Sequence, residues 1–505
     1  MVIGMELRVL CCAAGIKCPA YEGSIDITGI VSDSRQVCPG YLYVCIRGFH
    51  HDGHAFIREA LGAGASAIVA EEGAPFECVG DAFIITVPGT RQSLACLLDA
   101  WYGFPSRKMK LIAVTGTNGK TSVTFILKAI FEAAMYRCGL IGTVSCLSAN
   151  RRLFCGNRDK LANLTTPDPE QLYMLLAEMV ADNVEYVFIE ATSHALCLDK
   201  LSALNFEAGI FTNLTPEHLD FHGSMENYLA AKQKLFYRCA LAVINADSEY
   251  YNEIAKSCAG RVVTCTATGK KGNCDYMATE ICDNGTEGVS YLLRSANAVF
   301  RVKTQIPGRF SVMNTLQAAA CAAELGIKPK IIADAIAGIN GIDGRLEKVK
   351  LGYEADFSVF IDYAHTPDAL ENLLLSVRGF RRPGQRLVLL FGCGGDRDKS
   401  KRPVMGEIAT RLADFVVITS DNSRSEEPGA IIRDILAGIG DRKNYTVEVD
   451  RRKAIENTVV NARKGDIIIL AGKGHETYEI NRAGRFPFNE KEIAQAAARR
   501  RFHGG

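Results

Sequence analysis

A chain of 505 residues is too long for one ordinary domain, and at roughly 150 residues per domain three are expected. Its hydrophobic content of 48% suffices for several cores, while 58 basic against 57 acidic side chains favour no polyanion, nucleic acid included, as a bulk partner, so any nucleotide has to be bound by a local site. No apolar run approaches the length that spans a bilayer, and the start, MVIGMELRVLCCAAGIKC, makes a poor signal peptide.

Residues 1–108 carry short β-like runs, YLYVCI, SAIVA and AFIITV, followed by one helical stretch, RQSLACLLDAWYG. FPSRKMK at 104–110 reads as a linker. From Leu111 the pattern becomes apolar strand followed by amphipathic helix: LIAVTG leads into SVTFILKAIFEAAM, and EYVFIEATS and AGIFTNL are further strands. This alternation predicts a parallel, doubly wound sheet. The polar stretch 266–288 reads as turns and excursions within this part. A second boundary falls near GIDGRLEK at 341–348, after a helical pattern ending at Ile339. Beyond it FSVFIDYAH, RLVLLFGCGG, DFVVITSDN and DIIILAGKG each read as a strand ending in a polar or glycine-rich loop, and in open α/β sheets ligands bind at the carboxyl ends of strands. The expected class is α/β in three domains: a smaller N-terminal α/β domain (1–108), a central P-loop-type doubly wound sheet (109–343) and a C-terminal Rossmann-like domain (344–505). The 18 cysteines show no C-x-x-C spacing and read as reduced, buried thiols of a cytoplasmic protein, Cys393 included.

Gly116, Thr117, Asn118, Gly119, Lys120 and Thr121 spell GTNGKT between a strand and a helix. Glycines let backbone N–H groups approach phosphate oxygens, and a helix N-terminus favours negative charge. Lys120 would neutralise the β/γ-phosphates and the Thr121 hydroxyl would bind magnesium. The ordinary pattern places four residues between its first glycine and Gly-Lys; here there are two, Thr117 and Asn118. Glu190 ends the strand EYVFIE, where a carboxylate can reach a metal beside this loop. NLTPEHLDFHGSMENYLAAKQKLF (213–236) then puts His218, Asp220 and His222 in a short loop ahead of a helix holding Lys232 and Lys234.

The shortened phosphate loop and the 213–236 segment closely resemble the Mur ligases, the ATP-dependent amino-acid ligases of cell-wall synthesis. The resemblance implies that Glu190, His218, Thr121 and Lys232, the last as a carbamate, hold two magnesium ions around ATP. Lys120, Glu190, His218 and Lys232 would be the catalytic set. It also implies that a substrate carboxylate takes the γ-phosphate as an acyl phosphate, from which an amine displaces phosphate. Asn314, in FSVMN, and Arg345, in DGR, would contact the nucleotide.

DYAHTPDALE (362–371), FGCGGDRDKSKRP (391–403), DNSRSEEP (421–428) and GKGHE (472–476) are similar to the tripeptide-forming branch, which adds a diamino acid. Members using meso-diaminopimelate carry Asp-Asn-Pro-Arg. This chain has Asp421, Asn422, Ser423 and Arg424, so the guanidinium that fits the extra carboxylate is kept and the proline is lost. Loss of proline should loosen the loop. Diaminopimelate is expected rather than L-lysine, with Arg397, Gly472 and Glu476 as further contacts. On the nucleotide-sugar side the resemblance implies that Ser32, Ser34, Thr165, Thr166, Thr192 and Lys200 contact a UDP-N-acetylmuramoyl-dipeptide. Three positions depart from the family: Leu198 for glutamine, Lys200 for arginine and Ser311 for asparagine. A monomer is the family expectation. The competing readings are L-lysine addition, a folylpolyglutamate synthetase, which would lack the uridine and diamino-acid segments, and a non-catalytic nucleotide-binding regulator with the same fold.

Overall fold

The structure, a computed structural model, describes residues 4–48, 51–75, 82–149, 151–153, 164–269, 272, 274–352 and 355–503. The chain forms two compact units, Met1–Thr264 and Cys265–Gly505.

In the first unit, Gly29–Val31, Tyr41–Val44, Ala67–Glu71 and Ile84–Val87 pair in that order as a parallel sheet. The helix Thr90–Trp101 follows. A second sheet is centred on Lys110–Thr115, flanked by Tyr186–Glu190 on one side and Phe206–Phe211 on the other, with Cys138–Ile141 and Cys239–Asn245 outside them. These five strands are parallel and almost wholly buried, which is why they read as continuous apolar runs rather than as alternations. Strand order reverses around Lys110–Thr115, so its carboxyl end is a topological switch point. The helix Lys120–Ala133 starts there and buries Val123, Ile126, Leu127, Ile130 and Phe131, the spacing of one helical face.

The second unit opens with the end of the strand Arg261–Thr266, whose Cys265 and Thr266 pair in parallel with Tyr276 and Met277. Tyr276–Asp283 lies inside the stretch read as turns. It is a strand, antiparallel to Val289–Ser295, which pairs with Val299–Thr304. Only Tyr276 and Ala278 of Tyr276–Asp283 are buried, and the register slips between Thr279 and Cys282, so the segment carries no continuous apolar run. Helices Phe310–Glu324 and Pro329–Gly338 follow. The sheet beyond has the order Glu347–Lys348, Ser358–Asp362, Ile467–Ala471, Leu387–Phe391, Phe415–Ile418, Tyr445–Val447, parallel except for the first pair. Alternate strand residues feed two cores. Phe360, Leu389, Phe391, Ile467 and Ile469 pack with the helices Pro367–Phe380 and Lys401–Leu412. Val359, Val388, Leu390, Ile468 and Leu470 pack with Arg451–Val460 and Glu490–His503. Helices on both faces make this a doubly wound domain.

All cysteines among the described residues are free thiols, and Cys393 is buried with its Sγ 3.7 Å from Met405 Sδ, a packing role. No helix among the described residues is long and apolar enough to cross a membrane.

Candidate active site

At the switch point Gly116 has φ 150° and Gly119 has φ 89°. A Cβ on Gly116 would stand 1.8 Å from Thr212 Oγ1 and collide with it. The loop is tied to the end of the neighbouring strand: Asn118 N donates to Asn213 Oδ1 (2.9 Å), and Thr212 Oγ1 donates to Asn118 O (2.6 Å). Lys120 Nζ donates to the carbonyls of Gly116 (2.8 Å) and Thr117 (2.7 Å).

Glu190 is 1% exposed and closes the parallel strand beside the loop. Its Oε2 accepts from Thr121 Oγ1 at 2.9 Å and from Thr143 Oγ1 at 3.1 Å, and its Oε1 accepts from Thr143 N at 2.9 Å. A Cβ on Gly142 would lie 2.2 Å from Glu190 Oε1, so only glycine lets the carboxylate sit here. Thr143 falls outside every motif. The signal for it is the Gly-Thr pair directly after an apolar strand.

The segment Leu164–Glu170 gathers the residues expected on the nucleotide-sugar side. Thr165 Oγ1 is 3.0 Å from Thr143 Oγ1, and Thr166 Oγ1 donates to Glu190 O (2.6 Å) and lies 3.1 Å from Thr192 Oγ1. Asp168 pairs with Lys200 Nζ at 2.7 Å. Glu170 Oε1 accepts from Ser32 N (3.1 Å) and Ser32 Oγ (2.5 Å). Ser34 stands apart, with its Oγ 3.4 Å from Glu59 Oε1. Thr192 caps the helix Ser193–Cys197 by accepting from Ala195 N (3.2 Å). Leu198 follows that helix directly and offers no polar atom on its side chain.

His218, Asp220 and His222 do not form an open loop. Leu219–His222 is a single helical turn, with His218 left-handed (φ 56°) at its start. The His194 and His218 rings are 4.7 Å apart, and His222 Nε2 is 3.0 Å from Ser193 Oγ. Burial first, then the neighbouring His218 and His222, push His194 down to about 4. Lys232, on the helix Met225–Phe236, is 1% exposed, with its Nζ 4.5 Å from the centre of the Tyr228 ring. Burial, and then the charge of Lys120, hold the Lys232 amine well below the ordinary lysine range against the opposing pull of Glu217. The Tyr228 hydroxyl is 3.2 Å from Thr117 Oγ1, so Lys232 is packed against the phosphate loop through one ring.

In the second unit a further cluster forms at the ends of the strands Phe415–Ile418 and Ile467–Ala471. The Asn422 amide is fixed: its Oδ1 accepts from Lys473 Nζ and Ile480 N, both at 2.9 Å, and its Nδ2 donates to Glu476 Oε2 at 2.7 Å. Burial would raise the Asp421 carboxyl, but Lys473, Arg451 and the Asn422 N–H outweigh it and hold it below its usual range. Glu476 is raised, by burial first and then by Asp421. A Cβ on Gly472 (φ 111°) would meet Asp421 Oδ2 at 2.7 Å. Arg424 is left-handed (φ 51°), with its Nη1 donating to Gly395 O (2.9 Å) and Asn422 O (3.3 Å). Arg397 is exposed on the adjoining loop. Fully buried Arg451 donates to Ser420 O (3.1 Å), Ala471 O (2.8 Å) and Glu490 Oε1 (2.8 Å), joining the two strand ends that carry Asp421 and Gly472. Elsewhere in this unit Asn314 is buried on its helix, the Ser311 hydroxyl donates to Gly308 O (2.6 Å), and the Arg345 guanidinium lies 5.7 Å from the Tyr363 ring centre.

Residues 114–322 match the Mur ligase middle domain, 344–474 the Mur ligase glutamate ligase domain, and 26–102 the Mur ligase family catalytic domain. The chain is 42% identical over 475 residues to UDP-N-acetylmuramoyl-L-alanyl-D-glutamate–2,6-diaminopimelate ligase of Clostridioides difficile, covering 94% of this chain and 95% of that one. It is 40% identical over 482 residues to the protein of the same name from Syntrophomonas wolfei, covering 94% and 95%. A solved structure of a ligase of that name superposes with a TM-score of 0.68 at 28% identity, covering 98% of this chain and 99% of that one. Folylpolyglutamate synthase of Mycobacterium tuberculosis shares the fold alone, at 18% identity and a TM-score of 0.59, covering 82% and 95%. The chain belongs to the Mur ligase family.

Proposed function

We propose that the protein is an ATP-dependent, ADP-forming ligase of peptidoglycan synthesis that joins meso-2,6-diaminopimelate to the D-glutamate of UDP-N-acetylmuramoyl-L-alanyl-D-glutamate. The observation that carries this is the network at Glu190, where the phosphate-loop Thr121 and the acceptor-side Thr165, Thr166 and Thr192 meet within one set of hydrogen bonds. Such a set brings the γ-phosphate and an acceptor carboxylate to one place, and positioning is most of what phosphoryl transfer requires. The names of the C. difficile and S. wolfei relatives support the same activity.

Residues 1–108 would serve the nucleotide-sugar, 109–343 ATP and the chemistry, and 344–505 the diamino acid. Loop N–H groups and Lys120 would hold the phosphates. Thr121 Oγ1 and Glu190 Oε2, hard oxygen donors 2.9 Å apart, fit magnesium, which when bound would neutralise phosphate charge. His218 and a carbamate on Lys232 would complete a second site. A buried amine whose pKa is pulled well below the ordinary lysine range is more readily neutral, and the neutral amine is the nucleophile that carbon dioxide requires. The acceptor carboxylate attacks the γ-phosphorus and ADP leaves. The amine of the diamino acid then attacks the acyl phosphate, and inorganic phosphate departs. Arg424, Asn422 and Glu476 would read the distal carboxylate and ammonium of the diamino acid. Its substrates being soluble, the enzyme would work in the cytoplasm, and a monomer is the family expectation.

The test is ADP release from purified protein with magnesium, ATP and the UDP-dipeptide, comparing meso-diaminopimelate with L-lysine. Turnover with diaminopimelate is expected. Preference for lysine would refute the role given to Arg424, and no turnover with either would favour a nucleotide-binding regulator.

A further inference from the structure

An antiparallel hairpin of Tyr478–Asn481 with Gly484–Pro487 follows the GKGHE loop, and nothing in the reaction as derived above uses it. Ile480 turns both backbone groups to the recognition loop: its N–H donates to Asn422 Oδ1 (2.9 Å) and its carbonyl accepts from Arg424 N (3.1 Å). Arg482 Nε donates to Ser425 O at 2.6 Å. Buried Lys473 joins the two elements by donating to Asn422 Oδ1 (2.9 Å) and Tyr478 O (3.0 Å). The Asn422 side chain thus stands in for a strand carbonyl, and the hairpin docks on 422–425 as an added strand would.

On its other side the recognition loop is tied to the 395–396 loop, where Gly395 N donates to Asn422 O (2.9 Å) and Ser425 N and Oγ donate to Asp396, so the thinly held part is Ser423 and Arg424 between those ties. Ser423 contributes one turn bond, from Glu426 N to its carbonyl (3.0 Å), and its own N–H donates no hydrogen bond among the described residues. Arg424 keeps a left-handed backbone, which a non-glycine residue retains only where its surroundings impose it. Its Nη1 is engaged by Gly395 O and Asn422 O, while its Nε and Nη2 make no hydrogen bond among the described residues. Bidentate recognition of a carboxylate needs that guanidinium held at one angle.

We propose that this hairpin is a specificity-determining clamp, in which Ile480 and Arg482 are positioning residues that aim Arg424 at the distal carboxylate of the diamino acid. The inference rests on the diaminopimelate-adding reading above. Loosening the clamp would leave ATP and the UDP-dipeptide bound as before and let Arg424 wander.

Arg482→Ala and Ile480→Pro, the latter removing the N–H donor together with the isoleucine side chain and fixing φ, test it. Each is expected to raise KM for meso-diaminopimelate roughly three- to tenfold, the worth of one or two hydrogen bonds. Turnover and KM for ATP should stay within about twofold, and the preference for diaminopimelate over L-lysine should fall in step. Adding Ser423→Pro, which removes no hydrogen bond and narrows the loop's freedom, should bring KM back toward the wild-type value. Unchanged KM and preference would overturn the clamp. So would a uniform rise in every KM with a fallen Tm, or a defect that Ser423→Pro leaves untouched. Wild-type protein that ignores diaminopimelate would overturn the reading beneath it; wild-type protein that uses it, with unaltered variants, would overturn the clamp alone.

Discussion

Thr121 and Glu190, 69 residues apart in sequence, share a 2.9 Å hydrogen bond that joins the first turn of the phosphate-loop helix to the end of the adjacent strand. The carboxylate also accepts from Thr143 N and Oγ1, so its charge is held in place by three donors. Glu190→Gln keeps the shape and removes the charge. Turnover should fall about 10²–10³-fold, with ATP binding by calorimetry much less affected. Comparable turnover in the variant would remove Glu190 from the reaction.

Gly142→Ala offers the same test without touching a reacting group. The new Cβ would stand 2.2 Å from Glu190 Oε1, and the carboxylate has to move. A displacement of about 1 Å at such a site costs roughly a hundredfold in turnover. Steady-state kinetics on a variant with normal Tm would show it.

Lys232 is buried, with its amine held well below its usual range. Between its lowered folded pKa and the ordinary 10.5 the unfolded chain binds the extra proton, so folding is penalised, and the penalty grows as pH falls from 10.5. In carbonate-free buffer Lys232→Met should therefore raise Tm, by more at pH 7 than at pH 10. A gap that did not change with pH would mean the amine is charged in the fold. With bicarbonate supplied, wild-type turnover should rise and the variant's should not.

Glu476 accepts from Asn422 Nδ2 at 2.7 Å, and burial, then Asp421, raise its carboxyl above the ordinary 4.5. The anion is the form that holds an ammonium group, and it is lost as pH falls through that raised value. KM for diaminopimelate should climb as pH falls from neutral toward that raised value. Glu476→Gln should show a high KM with a flat profile over that range. A variant that retained the wild-type slope would assign the titration elsewhere.

Arg451 and Glu490 are both almost fully buried and meet at 2.8 Å. Arg451→Met leaves the carboxylate without its counter-charge and frees the Ser420 and Ala471 carbonyls, at a cost of about 3–5 kcal/mol by denaturant unfolding. Arg451→Met with Glu490→Leu should recover much of that stability, while KM for the diamino acid stays high because the strand ends before Asp421 and Gly472 are no longer joined. Additive losses would show the pair to be independent.

Parallel strands buried on both faces announce themselves as apolar runs. That is why Lys110–Thr115, Tyr186–Glu190 and the strands of the last domain were legible in sequence, and with them Glu190 at a strand end. Tyr276–Asp283 was not, because a half-exposed strand with a register slip has no such run. The site divides the same way. GTNGKT is readable because phosphate binding dictates its residue types. Thr143, Asp168 and Glu170 act through partners 22 to 138 residues away, and no local pattern encodes those pairings. Serine at 423 signals a loosened loop, and only the fold shows that Ile480 holds its neighbours from outside.

The folded-back Lys120 has a consequence for ligand choice. Its ammonium already has two carbonyl acceptors, 2.8 and 2.7 Å away, on the loop it belongs to. An incoming phosphate group has to replace both bonds before it gains anything from the lysine, and a polyphosphate, with more charge and more acceptor oxygens than a single phosphate, gains more from that exchange. The loop would therefore reward a ligand that offers several phosphate oxygens at once.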